Sequence, residues 1–272
     1  MSDILTNLSE PPPACSIEAS VWEQCRFYRR SPQVELHDEQ DMLWYITGIP
    51  TPVFNAVVRS QLTCTDLDRR VHEVLLRFVF RRVPMMWFVG PSTQPADLAT
   101  VLEDHGLEHA TDMPGMAVDV FALDEEVPAP EGLIIRPVHD HEGLDQWVRT
   151  TAHGFGARPQ VADATLRFER SLGIGPDLPW RRYLGLLEGK PVATSALFLG
   201  AGVAGIDNVT TVPSERRRGI GSALTLRPLN DARSLGYRVG VLLSTPMAVS
   251  MYRRLGFREY CTISQYVRTP DA

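Results

Sequence analysis

The chain has 272 residues, 44% hydrophobic and 22% charged, with a formal net charge of −6. That composition suits one large globular domain or two of ordinary size, and its acidic balance argues against nucleic acid or an anionic membrane as a general partner. Four scattered cysteines without Cys-x-x-Cys spacing, a polar start and no run near ~18 apolar residues speak against a zinc site, a disulfide framework, a signal peptide or a membrane span, and favour a cytoplasmic protein.

Residues 1–20 hold Pro11-Pro12-Pro13 and little hydrophobic pattern, which predicts a flexible arm. Strands are expected over 42–48 and 53–58, parted by a Gly/Pro turn. A helix follows with Leu67, Val71, Val74, Leu75 and Phe78 on one face and Thr65 or Asp66 as its cap. Residues 85–89 read as a buried strand, 95–105 as a helix stopped by Gly106, and 115–123 as a strand. The Pro-rich stretch 127–132 is a linker.

Beyond it, 133–138 is a strand, and Asp140 can cap a helix whose apolar face is Leu144, Trp147, Val148 and Thr151. A second helix is expected over 161–172, then strands 183–187 and 192–199 around the hairpin signal Glu188-Gly189. Strand 203–211 feeds a basic, glycine-bearing turn and a helix, which Pro228 should kink or end early. Residues 239–243 suit a parallel strand, 247–255 a helix ended by Gly256, and 257–267 the closing strands.

The turn is the most informative stretch: Pro213-Ser214-Glu215-Arg216-Arg217-Arg218-Gly219-Ile220-Gly221-Ser222. Glycines at a helix start let a ligand approach the backbone and expose several N–H groups at once. The helix N-terminus favours an anion, and three arginines add fixed charge. A Walker loop is excluded by the missing lysine, and a dinucleotide fingerprint by Leu224 where its third glycine belongs.

This stretch resembles the pyrophosphate loop of the GNAT superfamily of acyl-CoA-dependent N-acyltransferases, Arg/Gln-x-x-Gly-x-Gly/Ala preceded by Pro-x-x. The element order over about residues 132–268 is similar to that family's, as is a closing helix with Ala248, Tyr252, Gly256 and Phe257 in place. Thr245 stands where the family often has asparagine. The first half repeats the later helix–strand–helix–strand order, but has Cys64-Thr65-Asp66-Leu67-Asp68 at the loop position, without glycine and with two carboxylates that would repel a phosphate.

The resemblance therefore implies an α/β (α+β) chain of two tandem GNAT-like domains, each a mixed, mostly antiparallel sheet flanked by helices. The expected boundaries are a flexible arm 1–20, a degenerate N-terminal copy 21–126, a linker 127–132 and a catalytic domain 133–272. It implies acetyl-CoA as acyl donor, held by the backbone of Val209, Thr210 and Thr211, by the loop residues Arg216, Arg217, Arg218, Gly219, Ile220, Gly221 and Ser222, and near Thr245. A bulky β-branched residue at Gly219 or Gly221 would then crowd the diphosphate and disfavour any φ > 0 conformation, weakening CoA binding while leaving the fold largely intact. Tyr252 matches the tyrosine that protonates the departing thiolate, a role its phenol suits. Asp207 lies near the family's base position, with Glu215 in the loop as another carboxylate and a water chain as the alternative to either. The expected reaction is direct attack of a primary amine, on a small molecule or a peptide, in a monomer or homodimer. A non-catalytic acyl-CoA sensor of the same fold is the rival. His139-Asp140-His141-Glu142 is explained by helix capping, so no metal is expected.

Overall fold

Runs of β-branched and aromatic residues between turn signals become strands, and apolar stripes at helical spacing become the helices between them. In the computed structural model, which describes residues 3–9, 11–123 and 127–270, the first half runs α1 (Pro13–Phe27), β1 (Glu35–Asp38), β2 (Met42–Ile46), β3 (Asn55–Ser60), α2 (Leu67–Arg81), β4 (Met85–Val89), α3 (Leu98–Asp104) and β5 (Glu108–Asp119). The second half runs β6 (Leu133–Pro137), α4 (His141–Phe155), α5 (Pro159–Leu172), β7 (Trp180–Leu187), β8 (Lys190–Gly200), β9 (Val203–Thr211), α6 (Ile220–Ser234), β10 (Val239–Leu243), α7 (Val249–Arg254) and β11 (Arg258–Arg268). Met1, Ser2 and Glu10 of the expected arm, the expected domain end at Glu126, and Asp271 and Ala272 lie outside the described residues.

Among the described residues the strands form one sheet of 11, ordered β1-β2-β3-β4-β11-β5-β10-β9-β8-β7-β6. Its pairings are antiparallel except β3 with β4 and β9 with β10. The halves exchange their closing strands: β5 pairs with β10 of the second half, and β11 inserts between β4 and β5. Alternation along the strands sorts the core by face. Val57 and Leu242 face the side covered by α2, α3, α6 and α7, whereas Val58 and Val241 face the side covered by α1, α4 and α5.

Several elements differ from their expected form. Residues 13–20, expected in the arm, are the first turns of α1, with Pro13 at the first helical position where its missing N–H costs nothing. That helix lies under both halves of the sheet, and its buried set mixes Ile17 and Cys25 with Ser16, Glu18 and Ser20, so no apolar stripe marks it. Neither Thr65 nor Asp66 caps α2 through its side chain; Asp66 instead takes the Arg69 guanidinium at 3.0 Å. Helix α6 does not end at Pro228 but continues to Ser234, because Leu224, Leu226, Leu229 and Ala232 bury its core face. A single long strand, β11, closes the chain where two were expected. Asp140 caps α4 as expected, accepting from the Gly143 N–H at 2.6 Å.

Candidate active site

β9 and β10 pair in parallel only at Ala204 with Gly240 and Gly205 with Val241. Beyond that point β9 carries a bulge opposite β8, between the Thr194 and Ala196 registers, and Asn208 takes a positive φ of 51°. A bulge bends its strand and re-aims its backbone. The segment from Ile206 to Thr211 therefore keeps β8 on one side while leaving β10, and a gap opens in the sheet.

The first half has the same arrangement with a different outcome. β3 and β4 also pair only twice, at Ala56 with Met86 and Val57 with Trp87. There, however, the chain after β4 turns back: the Gln94 N–H donates to Ser60 O and the Leu62 N–H to Gln94 O, each at 3.0 Å. The Trp87 indole N–H adds a bond to Ser60 Oγ at 2.9 Å. The strand backbone that is left open in the second half is zipped shut in the first.

At the mouth of the open gap lies the loop before α6. Arg217 has φ 62° and Gly219, the residue capping α6, φ 81°. The Ile220, Gly221 and Ser222 N–H groups fall at the first positions of the helix, where no intrahelical acceptor exists. Arg217 and Arg218 are exposed; Arg218 also meets Glu215, and Ile220 is a core residue, so only its backbone faces the loop. Arg216 braces the structure rather than reaching out: its guanidinium donates to Thr211 O at 3.1 Å and to Gly154 O at 2.8 Å.

The two loop glycines have neighbours the sequence did not disclose. A Cβ on Gly219 would lie 2.0 Å from the Pro128 carbonyl oxygen, in the linker, and one on Gly221 would lie 3.1 Å from Met251 Sδ. The expected positive φ is present at Gly219, but the expectation that a bulky residue there leaves the fold largely intact is corrected, because backbone packing against Pro128 also holds that glycine. Gly219→Val is expected to lower the melting temperature and to weaken acyl-CoA binding at least about tenfold. Gly221→Val should be milder, because a methionine side chain can yield. Thermal unfolding and calorimetric titration check both, and unchanged affinity in the two variants would remove the loop from the site.

Tyr252 on α7 is buried and packs edge-on against Phe257, ring centroids 5.6 Å apart. Burial pushes its phenol well above the ordinary value, the nearby Asp207 charge adds to this, and a hydrogen bond with Thr225 partly offsets it. Asp207 Oδ1 accepts from the Asn208 N–H at 2.6 Å and Oδ2 from the Gln24 amide at 2.8 Å. Thr210 is buried, its side chain pressed against Gly154 on α4, and Val209 packs toward the α6 face. Thr245 is exposed in the turn after β10, with its carbonyl accepting from the Ala248 N–H at 2.9 Å. Thus Val209–Thr211, the loop, Tyr252 and Asp207 surround one gap. Gln24, Thr225 and Pro128 join them; Gln24 lies 183 positions from Asp207, a separation with no sequence signal. Among the described residues no group of three or more His, Cys, Asp or Glu side chains comes together as a metal site.

Residues 147–257 match the family model described as the acetyltransferase (GNAT) family. No curated protein matches the chain. A GCN5-related N-acetyltransferase from Kribbella flavida superposes with a TM-score of 0.70 at 20% identity, covering 94% of this chain and 96% of that one. A second GCN5-related N-acetyltransferase, from Sphaerobacter thermophilus, gives 0.62 at 17% identity over 97% and 94% of the two chains. A tandem GNAT protein from the clavulanic acid biosynthesis pathway gives 0.53 at 14% identity over 99% of both. At these identities the likeness is one of fold.

Proposed function

We propose that the GNAT acetyltransferase domain this chain carries, matched over residues 147–257, transfers an acyl group, acetyl foremost, from acyl-CoA to a primary amine by direct attack. The observation that carries the reading is the open gap between β9 and β10, with free helix N–H groups and exposed arginines at its mouth. These residues fit an acyl-CoA: the N–H groups of 220–222 and Arg217 would receive the pyrophosphate, and the β9 edge at 209–211 that has left β10 the pantetheine and thioester. Thr245 borders the same mouth. Bound acyl-CoA would supply the activated thioester.

This chain's own residues then manage the protons. Asp207, anchored through Gln24 and its own strand, accepts the proton that the ammonium must lose before nitrogen can attack. Tyr252, kept protonated by burial, gives its proton to the departing thiolate as the C–S bond breaks and takes back the proton that the new amide nitrogen sheds. Residues 133–272 form the catalytic part in this reading, and 21–126 a copy without a cofactor, supported by its zipped gap and the carboxylates Asp66 and Asp68. Free-thiol release from acetyl-CoA, with and without primary amines, tests the proposal. Amine-dependent release with an acetylated product is expected. Acyl-CoA binding without such release would favour a sensor.

A further inference from the structure

On the α1 face, beside the point where β9 leaves β10, lies a cleft of about 190 Å³. It is smaller than the ≈ 300 Å³ at which drug-sized pockets begin. Both halves build it: Val21 and Tyr28 come from α1 and the turn after it, Tyr45, Val58 and Phe88 from the first half, and Asp207 from β9. Among the described lining residues Asp207 is the sole charged side chain, and no lysine, arginine or histidine lines the cleft. Its carboxylate is oriented by two neutral donors, the Asn208 N–H and the Gln24 amide. The same Gln24 nitrogen donates to the Tyr28 hydroxyl at 3.2 Å. A carboxylate held in position by neutral groups keeps its charge for a cation that enters.

We infer that this cleft receives the acceptor, that the acceptor is a small monocationic amine with an apolar body, and that Gln24 of α1 positions Asp207 to bind its ammonium. The inference rests on the acyl-transfer reading above and adds the class of acceptor. An acceptor bearing its own carboxylate or phosphate would bury an anion with no cationic partner, beside an existing carboxylate. A diamine would press a second ammonium against Val58, Phe88 and the tyrosines. An alkyl- or arylalkylamine places one ammonium on Asp207 and its apolar body against the apolar part of the wall, Val21, Val58 and Phe88 among it. The amine nitrogen then stands at the edge of the gap, where it forms the new C–N bond as the C–S bond breaks; one ammonium proton passes to Asp207 before attack, the thiolate receives one from Tyr252, and the nitrogen's second proton returns to the Tyr252 phenolate as the amide forms.

The test uses the full chain with acetyl-CoA and compares 2-phenylethylamine, phenylalanine and 1,5-diaminopentane by kcat/KM. 2-Phenylethylamine is expected to exceed the other two at least about tenfold. Gln24→Glu sets a second carboxylate beside Asp207 and should raise the ratio of diamine to monoamine activity at least about tenfold, an effect that a merely structural role would not produce. Preference for phenylalanine or for the diamine in the unaltered protein, or an unchanged ratio in the variant, overturns the inference while leaving acyl transfer intact. If acetyl-CoA binds but no amine releases thiol, the transfer reading fails on its own. The cleft is then judged by calorimetric binding of 2-phenylethylamine to the unaltered protein and to Asp207→Asn: weaker binding to the variant supports it, and equal affinity overturns it.

Discussion

Replacing Tyr252 with phenylalanine is expected to lower turnover by about 10²- to 10⁴-fold while leaving acyl-CoA affinity nearly unchanged. The ring is 5% exposed and rests against Phe257, so the variant keeps its packing. What it loses is the hydroxyl, with its hydrogen bond to Thr225. That bond is worth about 1 kcal/mol, too little to unfold the chain. Burial, reinforced by the Asp207 charge, holds the phenol protonated well above its ordinary value of 10.0. A raised phenol pKa keeps the acid form populated at neutral pH and through the mildly alkaline range. Steady-state thiol release should therefore show no loss of a required acid below about pH 10 in the unaltered protein. Undiminished turnover in the phenylalanine variant would remove Tyr252 from the mechanism.

The second large effect is on stability. Arg182 and Glu169 form an ion pair at 2.6 Å, with side chains 1% and 5% exposed. Glu169 Oε2 also accepts from the Trp180 indole at 3.2 Å, and Arg182 donates to Gly173 O at 3.0 Å, which ties α5 and its following turn to β7. Glu169→Gln preserves the shape but leaves a buried guanidinium without its counter-charge, which costs about 3–5 kcal/mol. Replacing both partners, Arg182→Met with Glu169→Leu, should be close to neutral or stabilising, because the desolvation of two charges disappears with them. Chemical denaturation of the three proteins checks this. A loss under about 1 kcal/mol in Glu169→Gln would mean that water reaches the pair.

The loop could be read because its signal is local. Two glycines and three arginines within a few residues specify a backbone conformation and a charge, and the structure places Gly219 at a positive φ at the start of α6. The Asp140 cap and the Glu188-Gly189 hairpin were legible for the same reason. What stayed hidden depends on distant pairings. Helix α1 carries no apolar stripe because Glu18 is buried to accept from the Ser92 N–H and hydroxyl, and nothing near Glu18 in sequence announces Ser92. The exchange of β5 and β11 joins strands about a hundred and fifty residues apart, and periodicity reports which face a strand buries, not which strand it meets. Thr65 and Asp66 had the right chemistry for a cap, yet Asp66 is drawn to Arg69 instead. The acidic Asp66 and Asp68 argued against a phosphate in the first half, but the zipper through Gln94 is visible only in three dimensions.

Amide hydrogen exchange with and without acetyl-CoA tests the central claim, that one cofactor enters the gap between β9 and β10 and none enters its counterpart. Slowed exchange is predicted at residues 209–211 and 217–222, on the β9 edge that has left β10 and at the start of α6. Residues 60–68, where the Leu62 N–H is already bonded to Gln94 O, should not change. Protection at 60–68, or none at 217–222, would contradict the account.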